Sequence, residues 1–463
     1  MLTSGQAETR YTWPSVPLDA SLGWKADPAA KERWLDLPED PDRIAQDSRW
    51  PAFFPSPICL VTTGDGRQNA LEKVVGASIV NRFPYIIALS FCVEDLSERH
   101  YARRSFCALL EQTRVAAVQL IVPGERLDAA MSAIASIPDG SSSERISASG
   151  LTTRSAITNS APVFDDAYMV YEAELVEPSL DFEGVQIFDK PWTDVGSHRI
   201  YYLKISTIQL QEEVSRGDCQ IKWRSLPAFQ PQQPFKPEAA HTQVDKKGYT
   251  KRYTPNYSFP AEGTIAFEAD YLRDGMAVQH VKDALITDND AARWPCFFPQ
   301  SAGIITSRSA DGTADVMPCG STTIVSRNPM IVAPCIAYAS VNERYAPRAT
   351  LDLVLDSGWF GCGVPFIEDS VVEAIRYAGN LSLRDDVEKM ANSGLLFGPG
   401  GRVPVTTGLP VFYECKLVGH QRLGSHIILF GEVQRIRVRE DVSPENPLEW
   451  CPWPDVTGLP DRM

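Results

Sequence analysis

The sequence predicts a mainly β protein made of two copies of one domain, and three observations carry that prediction. First, a heptapeptide is written twice, as Arg49-Trp50-Pro51-Ala52-Phe53-Phe54-Pro55 and Arg293-Trp294-Pro295-Cys296-Phe297-Phe298-Pro299, 244 positions apart (50 to 294). A period that long is a whole domain and not a solenoid unit. Second, each copy continues in short apolar, β-rich runs broken by turn residues, which points to a barrel or sandwich and away from a βαβ sheet. Third, smaller landmarks recur in the same order in both halves.

Composition sets the outer limits. A chain of 463 residues can bury two to three cores. Hydrophobic residues at 44% and charged residues at 22% give a globular balance. The formal charge of −15 weighs against nucleic acid or an anionic membrane surface as the main partner. A small phosphorylated ligand stays open, because it needs only a local cluster of donors. No run approaches the roughly 18 apolar residues of a membrane span, and the first residues lack an apolar h-region, so a cytoplasmic protein is expected. The ten cysteines are scattered, with neither CxxC nor metal-ligand spacing, and read as reduced thiols with no metal site.

Taken in order, residues 1–47 read as an irregular arm with one short helix over Pro28–Leu37. Copy one spans 48–227. Its ICLVTT run is a strand closed by the Gly64-Asp65-Gly66 turn, followed by GASIV, YIIALSFCV and FCALL as further β-segments. Apolar spacing and an acidic first turn predict a helix over Pro123–Ser136. AYMVYEAELVE and HRIYYLKISTIQLQEEV then read as strands, the second alternating like a half-buried antiparallel one. Residues 228–290 are linker and arm, with the Pro-, Gln- and Lys-rich part near 228–250. Copy two, 291–463, repeats the order with AGIITS, the Asp311-Gly312 turn, TTIVS, MIVAPCIA, LDLVL, a helix at Ser370–Ala378, LPVFYECKLVG and HIILFGEVQRIRVRE.

The landmarks set a register. Gly76-Ala77-Ser78-Ile79-Val80-Asn81-Arg82 faces Gly320-Ser321-Thr322-Thr323-Ile324-Val325-Ser326-Arg327. Glu98-Arg99 through Ser105 faces Glu343-Arg344 through Thr350, a shared ERxxxRx[S/T]. Ser149-Gly150-Leu151 faces Ser393-Gly394-Leu395, and Gly196-Ser197-His198 faces Gly424-Ser425-His426. Spacings agree until the last interval, 49 residues in copy one (149 to 198) against 33 in copy two (393 to 426). The 16 extra residues fall in Glu177–Val195, directly before His198. An aromatic, acidic loop there suggests a lid, and equally a tolerated surface insertion.

Of six histidines only His198 and His426 occupy matching places, each opening a strand after Gly-Ser. An imidazole there can shuttle a proton or contact a ligand, or be a satisfied structural group. Arg103 with Ser105, and Arg348 with Thr350, offer a guanidinium fork beside a hydroxyl, a donor set suited to a phosphate. The Ser/Thr-rich stretches let backbone amides approach a ligand closely. Glu98-Arg99 and Glu343-Arg344 read as surface ion pairs. No GxSxG elbow, Walker loop, HExxH or dinucleotide GxGxxG is present.

On these residues each half resembles the flavin reductase-like, FMN-binding split-barrel family. The features are the opening β-run with its Asp-Gly turn, the Ser/Thr stretch ending near Pro, the Arg-x-Ser/Thr, the late GLPVFYECKL strand, and a Gly-x-His followed in copy two by Gly431-Glu432-Val433. The resemblance implies two tandem six-stranded antiparallel barrels forming an intramolecular pseudo-dimer, itself able to associate further. It implies FMN, with FAD as the larger alternative, and NAD(P)H as reductant, with hydride transfer through flavin N5 to flavin or a small organic substrate. Carried over, Ser321, Thr322, Thr323, Ser326, Arg348 and Thr350 are flavin-binding candidates in copy two. Ser78, Asn81, Arg103 and Ser105 are their counterparts in copy one, and His198 and His426 stand near the ring. One competent site per chain is the expected count. Three departures from the family pattern count against one of the two flavin sites and against NAD(P)H as reductant. Ser replaces the family's Asp before both histidines, copy one has Leu203-Lys204-Ile205 where Gly-Glu-Val is expected, and Ala77 stands where copy two has a hydroxyl. The alternatives are a diverged split barrel using the same cleft for non-redox chemistry without flavin, and a non-enzymatic flavin or haem carrier.

Overall fold

Alternating apolar residues on a two-residue period make the barrel walls, because successive side chains on a strand face opposite sides. In the computed structural model the described residues are 59–211 and 302–439, apart from short interruptions, with the strands Glu32–Asp36, Asp270–Arg273 and Met276–His280. The two heptapeptides, the 228–250 stretch and the Glu-Arg pairs lie outside them.

Copy one contains β1 (Cys59–Gly64), β2 (Asn69–Val74), β3 (Gly76–Asn81), β4 (Ile86–Cys92), β5 (Val115–Ile121), β6 (Ala167–Leu175) and β7 (His198–Gln211). Copy two repeats them as β8 (Gly303–Arg308), β9 (Ala314–Cys319), β10 (Thr322–Arg327), β11 (Met330–Ala337), β12 (Trp359–Val364), β13 (Val411–Arg422) and β14 (His426–Arg439). All pairings are antiparallel. In copy one β2 pairs β1, β1 pairs β5, β5 pairs β6, β6 pairs β7, β7 pairs β4 and β4 pairs β3. Copy two follows the same path from β9 through β8, β12, β13, β14 and β11 to β10. Because β3 continues β2 across a single residue, and β10 continues β9 across two, each ring closes on itself as a six-stranded split barrel.

The helices are α1 (Arg104–Thr113), α2 (Glu125–Ser136) and α3 (Glu144–Ala148) in copy one, and α4 (Ala349–Ser357), α5 (Asp369–Asn380) and α6 (Lys389–Asn392) in copy two. The FCALL and LDLVL segments, expected as strands, are thus helical, lying inside α1 and α4. Phe106, Cys107 and Leu110 bury one face of α1, and Leu351 and Val354 one face of α4. A five-residue apolar run does not distinguish the two periods, and the polar flanks lengthen each segment into a helix. The strands β5 and β12 that follow are additions to the expected set. The arm segment is also corrected. Glu32–Asp36 is a strand and not a helix, since it hydrogen-bonds along β14, where an exposed edge satisfies a backbone too short to hold helix alone.

The two barrels share one apolar layer. Val80, Ile86, Ile200 and Tyr202 of copy one pack with Val325, Ile331, Ile428 and Phe430 of copy two, all buried. On β7 the alternate residues Tyr201, Leu203 and Ile205 point instead into their own barrel. The layer is pinned reciprocally. Ser90 Oγ donates to the Val325 carbonyl (2.6 Å), and Cys335 Sγ, at the matching position, donates to that of Val80 (2.6 Å). The arms cross as well. Glu32–Asp36 pairs with β14 of copy two, while Met276–His280, at the same 244-residue spacing as the heptapeptides (32 to 276), pairs with β7 of copy one.

The inserted segment Glu177–Val195 is anchored in this layer. Ile187 and Phe188 are buried, Phe188 packs tilted against Tyr202 with centroids 5.9 Å apart, and Gln421 of copy two hydrogen-bonds the Ile187 carbonyl. Among the described residues no helix is long and apolar enough to cross a membrane.

Candidate functional site

Each Arg-x-Ser/Thr starts a helix beside the histidine of its own copy. Arg103 N donates to the carbonyl of Cys92 (2.8 Å), and Cys92 is the cross-strand partner of His198. Arg348 N donates to Ala337 (3.3 Å), the cross-strand partner of His426. The other barrel completes each corner. Asn81 Oδ1 accepts from His426 N (2.9 Å) and from Ser425 Oγ (3.1 Å), while Ser326 Oγ accepts from Ser197 N (3.2 Å). Asn81 and Ser326 are matching positions of the repeat. The backbone of Arg103 thus lies beside the strand end of His198, with Ser326 of the other barrel on Ser197 (cleft one), and that of Arg348 beside His426, with Asn81 of the other barrel on it (cleft two).

The hydrogen bonds set the state of one histidine. Asn81 Nδ2 donates to the Pro84 carbonyl (2.6 Å), which turns Oδ1 toward copy two. Oδ1 can only accept, so the single Ser425 proton goes to it. Ser425 Oγ, 2.7 Å from His426 Nδ1, must then accept from that nitrogen. A neutral His426 is thereby held as the Nδ1–H tautomer with Nε2 as its acceptor. Around His198 two hydroxyls meet, Ser197 and Ser326 (3.4 Å), and either can donate, so these two contacts by themselves do not choose its tautomer.

The remaining candidates divide. Ser78 and Thr323 are buried, each hydroxyl making a long 3.5 Å contact with the next residue's carbonyl. Thr322 Oγ1 donates to Cys319 O (3.2 Å) and lies against Gly303, inside barrel two. The Ser321 carbonyl accepts from Cys335 N (2.8 Å).

The arginines stand in different electrostatic surroundings. In copy two a cavity is lined by Asp315, Met317, Arg348, Thr350, Ser382 and Lys389. Lys389 on α6 is buried with Nζ 2.9 Å from Asp315 Oδ1, and Thr350 Oγ1 donates to Asp315 Oδ2 (2.6 Å). Burial pushes the Lys389 ammonium below the usual lysine range, and Asp315 opposes that shift. In copy one Glu72 forms a buried ion pair with Arg145 and lies 3.6 Å from Arg103 Nε, while Ser105 N donates to the Asp139 carboxylate (2.9 Å). Arg145, Lys389, Glu72 and Asp315 were not among the expected residues. The signal was available for two of them, since Arg145 and Lys389 each stand four positions before the repeated Ser-Gly-Leu (145 to 149, 389 to 393). Among the described residues no group of His, Cys, Asp or Glu is arranged to hold a metal ion.

The model of the flavin reductase like domain matches residues 52–225 and again 296–452. Similar solved structures include an FMN-binding protein from Thermus thermophilus with bound 1-cyclohex-2-enone, 21% identical over 30% of this chain and 70% of that one, TM-score 0.25. Flavoredoxin from Methanosarcina acetivorans is 16% identical over 33% and 75%, TM-score 0.28. Nitrilotriacetate monooxygenase component B from Bacillus cereus is 21% identical over 32% and 75%, TM-score 0.28. No curated protein sequence matches the chain.

Proposed function

Because the chain belongs to the flavin reductase-like family, matched over both barrels, we propose that it is an FMN-dependent oxidoreductase working at cleft two. In it the two barrels act as an intramolecular pseudo-dimer, each lending residues to the other's corner. The observation that carries this is the cavity of copy two, where Arg348, the first turn of α4 and the buried Lys389 converge. Arg348 and Lys389 line that cavity with the carboxylate of Asp315, and a helix start adds oriented amides. The donor set fits the phosphate of FMN. When bound, flavin supplies two-electron chemistry at N5 between NAD(P)H and flavin or a small organic substrate.

The chain's own residues hold and orient. Arg348 and Lys389 neutralise the phosphate, with Thr350 and Asp315 fixing the wall behind it. His426 presents Nε2 as a proton acceptor, or as a donor once protonated, at the cleft between barrels. The shared apolar layer, with the inserted Ile187 and Phe188, holds the two barrels together behind these residues.

The visible spectrum of the purified protein is the test. Absorbance near 450 nm that bleaches on adding NAD(P)H is expected, and an Arg348→Ala variant should lose the cofactor. A colourless protein that takes up no added FMN would end the proposal in favour of a non-redox ligand. Turnover should fall in His426→Ala and not in His198→Ala.

A further inference from the structure

The helices α1 and α4 end in the same left-handed turn, and the two copies build it from different residues. In copy two Gly358 takes it at φ +70°, its N–H donating to the Val354 carbonyl (2.9 Å) and its carbonyl accepting from Leu417 N (2.8 Å). In copy one Arg114 takes it at φ +63°, donating to the Leu110 carbonyl (2.8 Å) and accepting from Leu175 N (2.8 Å). Among the described residues Arg114 is the only non-glycine with positive φ. A side chain crowds the backbone in that region, and glycine does not. The backbone bonds match in the two copies, so they do not account for an arginine. Its side chain does.

The Arg114 guanidinium donates to the carbonyls of Leu175 and Val176 (3.3 Å each) and pairs with Glu177 (2.7 Å), the first residue of the inserted segment. The last turn of α1 also grips the other end of that segment. Glu111 accepts from Arg199 Nη1 (2.8 Å) and from the Tyr201 hydroxyl (2.5 Å). Arg199 in turn pairs with Asp194 (2.6 Å) and lies 4.9 Å over the Trp192 ring. Between these fastenings Ile187 and Phe188 enter the layer shared with copy two, where Gln421 bonds the Ile187 carbonyl. Gln421 lies at the end of β13, and Leu423, in the same buried cluster, donates its N–H to the His426 carbonyl (2.8 Å). Copy two, without the insertion, has Ile427 at the position of Arg199 and Leu429 at that of Tyr201.

We propose that the inserted segment is a strap between the barrels. The C-terminal end of α1 holds both of its ends, through Arg114 and Glu111, and its Ile187–Phe188 part holds the β13–β14 hairpin that carries His426. Arg114 is the clasp. It stays in a conformation that glycine adopts freely, because its side chain reaches the first residues of the segment. A strained backbone position persists only where its surroundings over-determine it, and contacts on both the backbone and the guanidinium do so here. The exposed Arg114–Glu177 pair contributes little by itself, so the clasp works together with the half-buried Glu111–Arg199 pair. The strap belongs to the architecture of the chain and does not depend on which ligand the clefts take.

Hydrogen exchange followed by mass spectrometry on the full chain tests the strap. Arg114→Gly should speed exchange about fivefold in peptides covering residues 177–195 and 419–426 and leave the remaining peptides unchanged. Its Tm should be unchanged or raised, since relief of the left-handed strain offsets the added freedom of glycine in the unfolded chain. Glu111→Gln, which leaves the turn untouched, should speed the same two regions. Acceleration confined to residues 177–195 would overturn the strap, because the segment would then be tied to its own barrel alone. Unchanged exchange in both regions, in either variant, would remove the fastening at α1. If Arg114→Gly fails to fold, or exchanges faster throughout, the arginine supports barrel one as a whole and the proposal falls.

Discussion

At the scale of residues, the informative contact is Asn81 with Ser425 and His426, because it crosses between barrels and decides where a proton sits. The repeat paired the histidines by position, yet nothing in the sequence says that Asn81 reaches the other copy's histidine. That follows only when β3 and β14 meet. The neutral His426 of the native protein should show the Nδ1–H tautomer in 15N NMR, with Nε2 in the unprotonated range. Asn81→Ser, which recreates the two-hydroxyl arrangement around His198, should give a mixture of tautomers; an unchanged spectrum would remove Asn81 from control of the ring. The same limit explains why Glu72 and Asp139 escaped notice. A lone Glu in a strand and a lone Asp in a Ser-rich loop carry no motif, and they matter only because folding sets them on Arg103, Arg145 and Ser105.

At the scale of elements, the turns were legible and the helices after β4 and β11 were not. Asp65-Gly66 and Asp311-Gly312 close the first hairpin of each barrel, with the glycines at φ +84° and +92°, where a Cβ is disfavoured. Backbone amides of Gln68 and Arg67 hold the Asp65 carboxyl below its usual range. The Ser309 hydroxyl and the Thr313 amide do the same for Asp311. A depressed folded-state value means stability that is present above the ordinary carboxylate range and lost as pH falls through the depressed value. Asp65→Asn keeps the accepting oxygen and cannot titrate. Its Tm should lie below that of the native protein at pH 7, and the gap should narrow as pH falls below the ordinary carboxylate range.

The inserted segment belongs to the same scale. Its length read equally as a lid or a tolerated insertion, and the structure makes its Ile187–Phe188 part an interface wedge. Phe188→Ala should cost about 3–5 kcal/mol by denaturant unfolding, the usual range for emptying a buried phenylalanine site. A loss under 1 kcal/mol would mean a mobile cover instead.

At the scale of the molecule, the two barrels are joined by more than the chain between them. They share an apolar layer, reciprocal hydrogen bonds from Ser90 and Cys335, and arms that each add a strand to the other barrel. Cutting within residues 228–250 should therefore leave the halves co-eluting at the mass of the intact 51.2 kDa chain on size exclusion. Separation of the halves without denaturant would show that the linker, and not the shared layer, holds them together.

The sequence by itself determined the duplication, the β class, the barrel register and the pairing of His198 with His426 and of Arg103 with Arg348. These rest on local periodicity and on repeated residues, which need no third dimension to be read. Only the tertiary structure decided that FCALL and LDLVL coil as helices, that the arms cross, and that each corner borrows a residue from the other barrel. It also decided that copy one's arginines are answered by copy one's own carboxylates. Those outcomes depend on which charges and edges meet across a hundred or more residues, and burial decides their energy. The repeated Arg-Trp-Pro heptapeptide announces two equal copies, but the buried charges around Arg103 and Arg348 make them unequal.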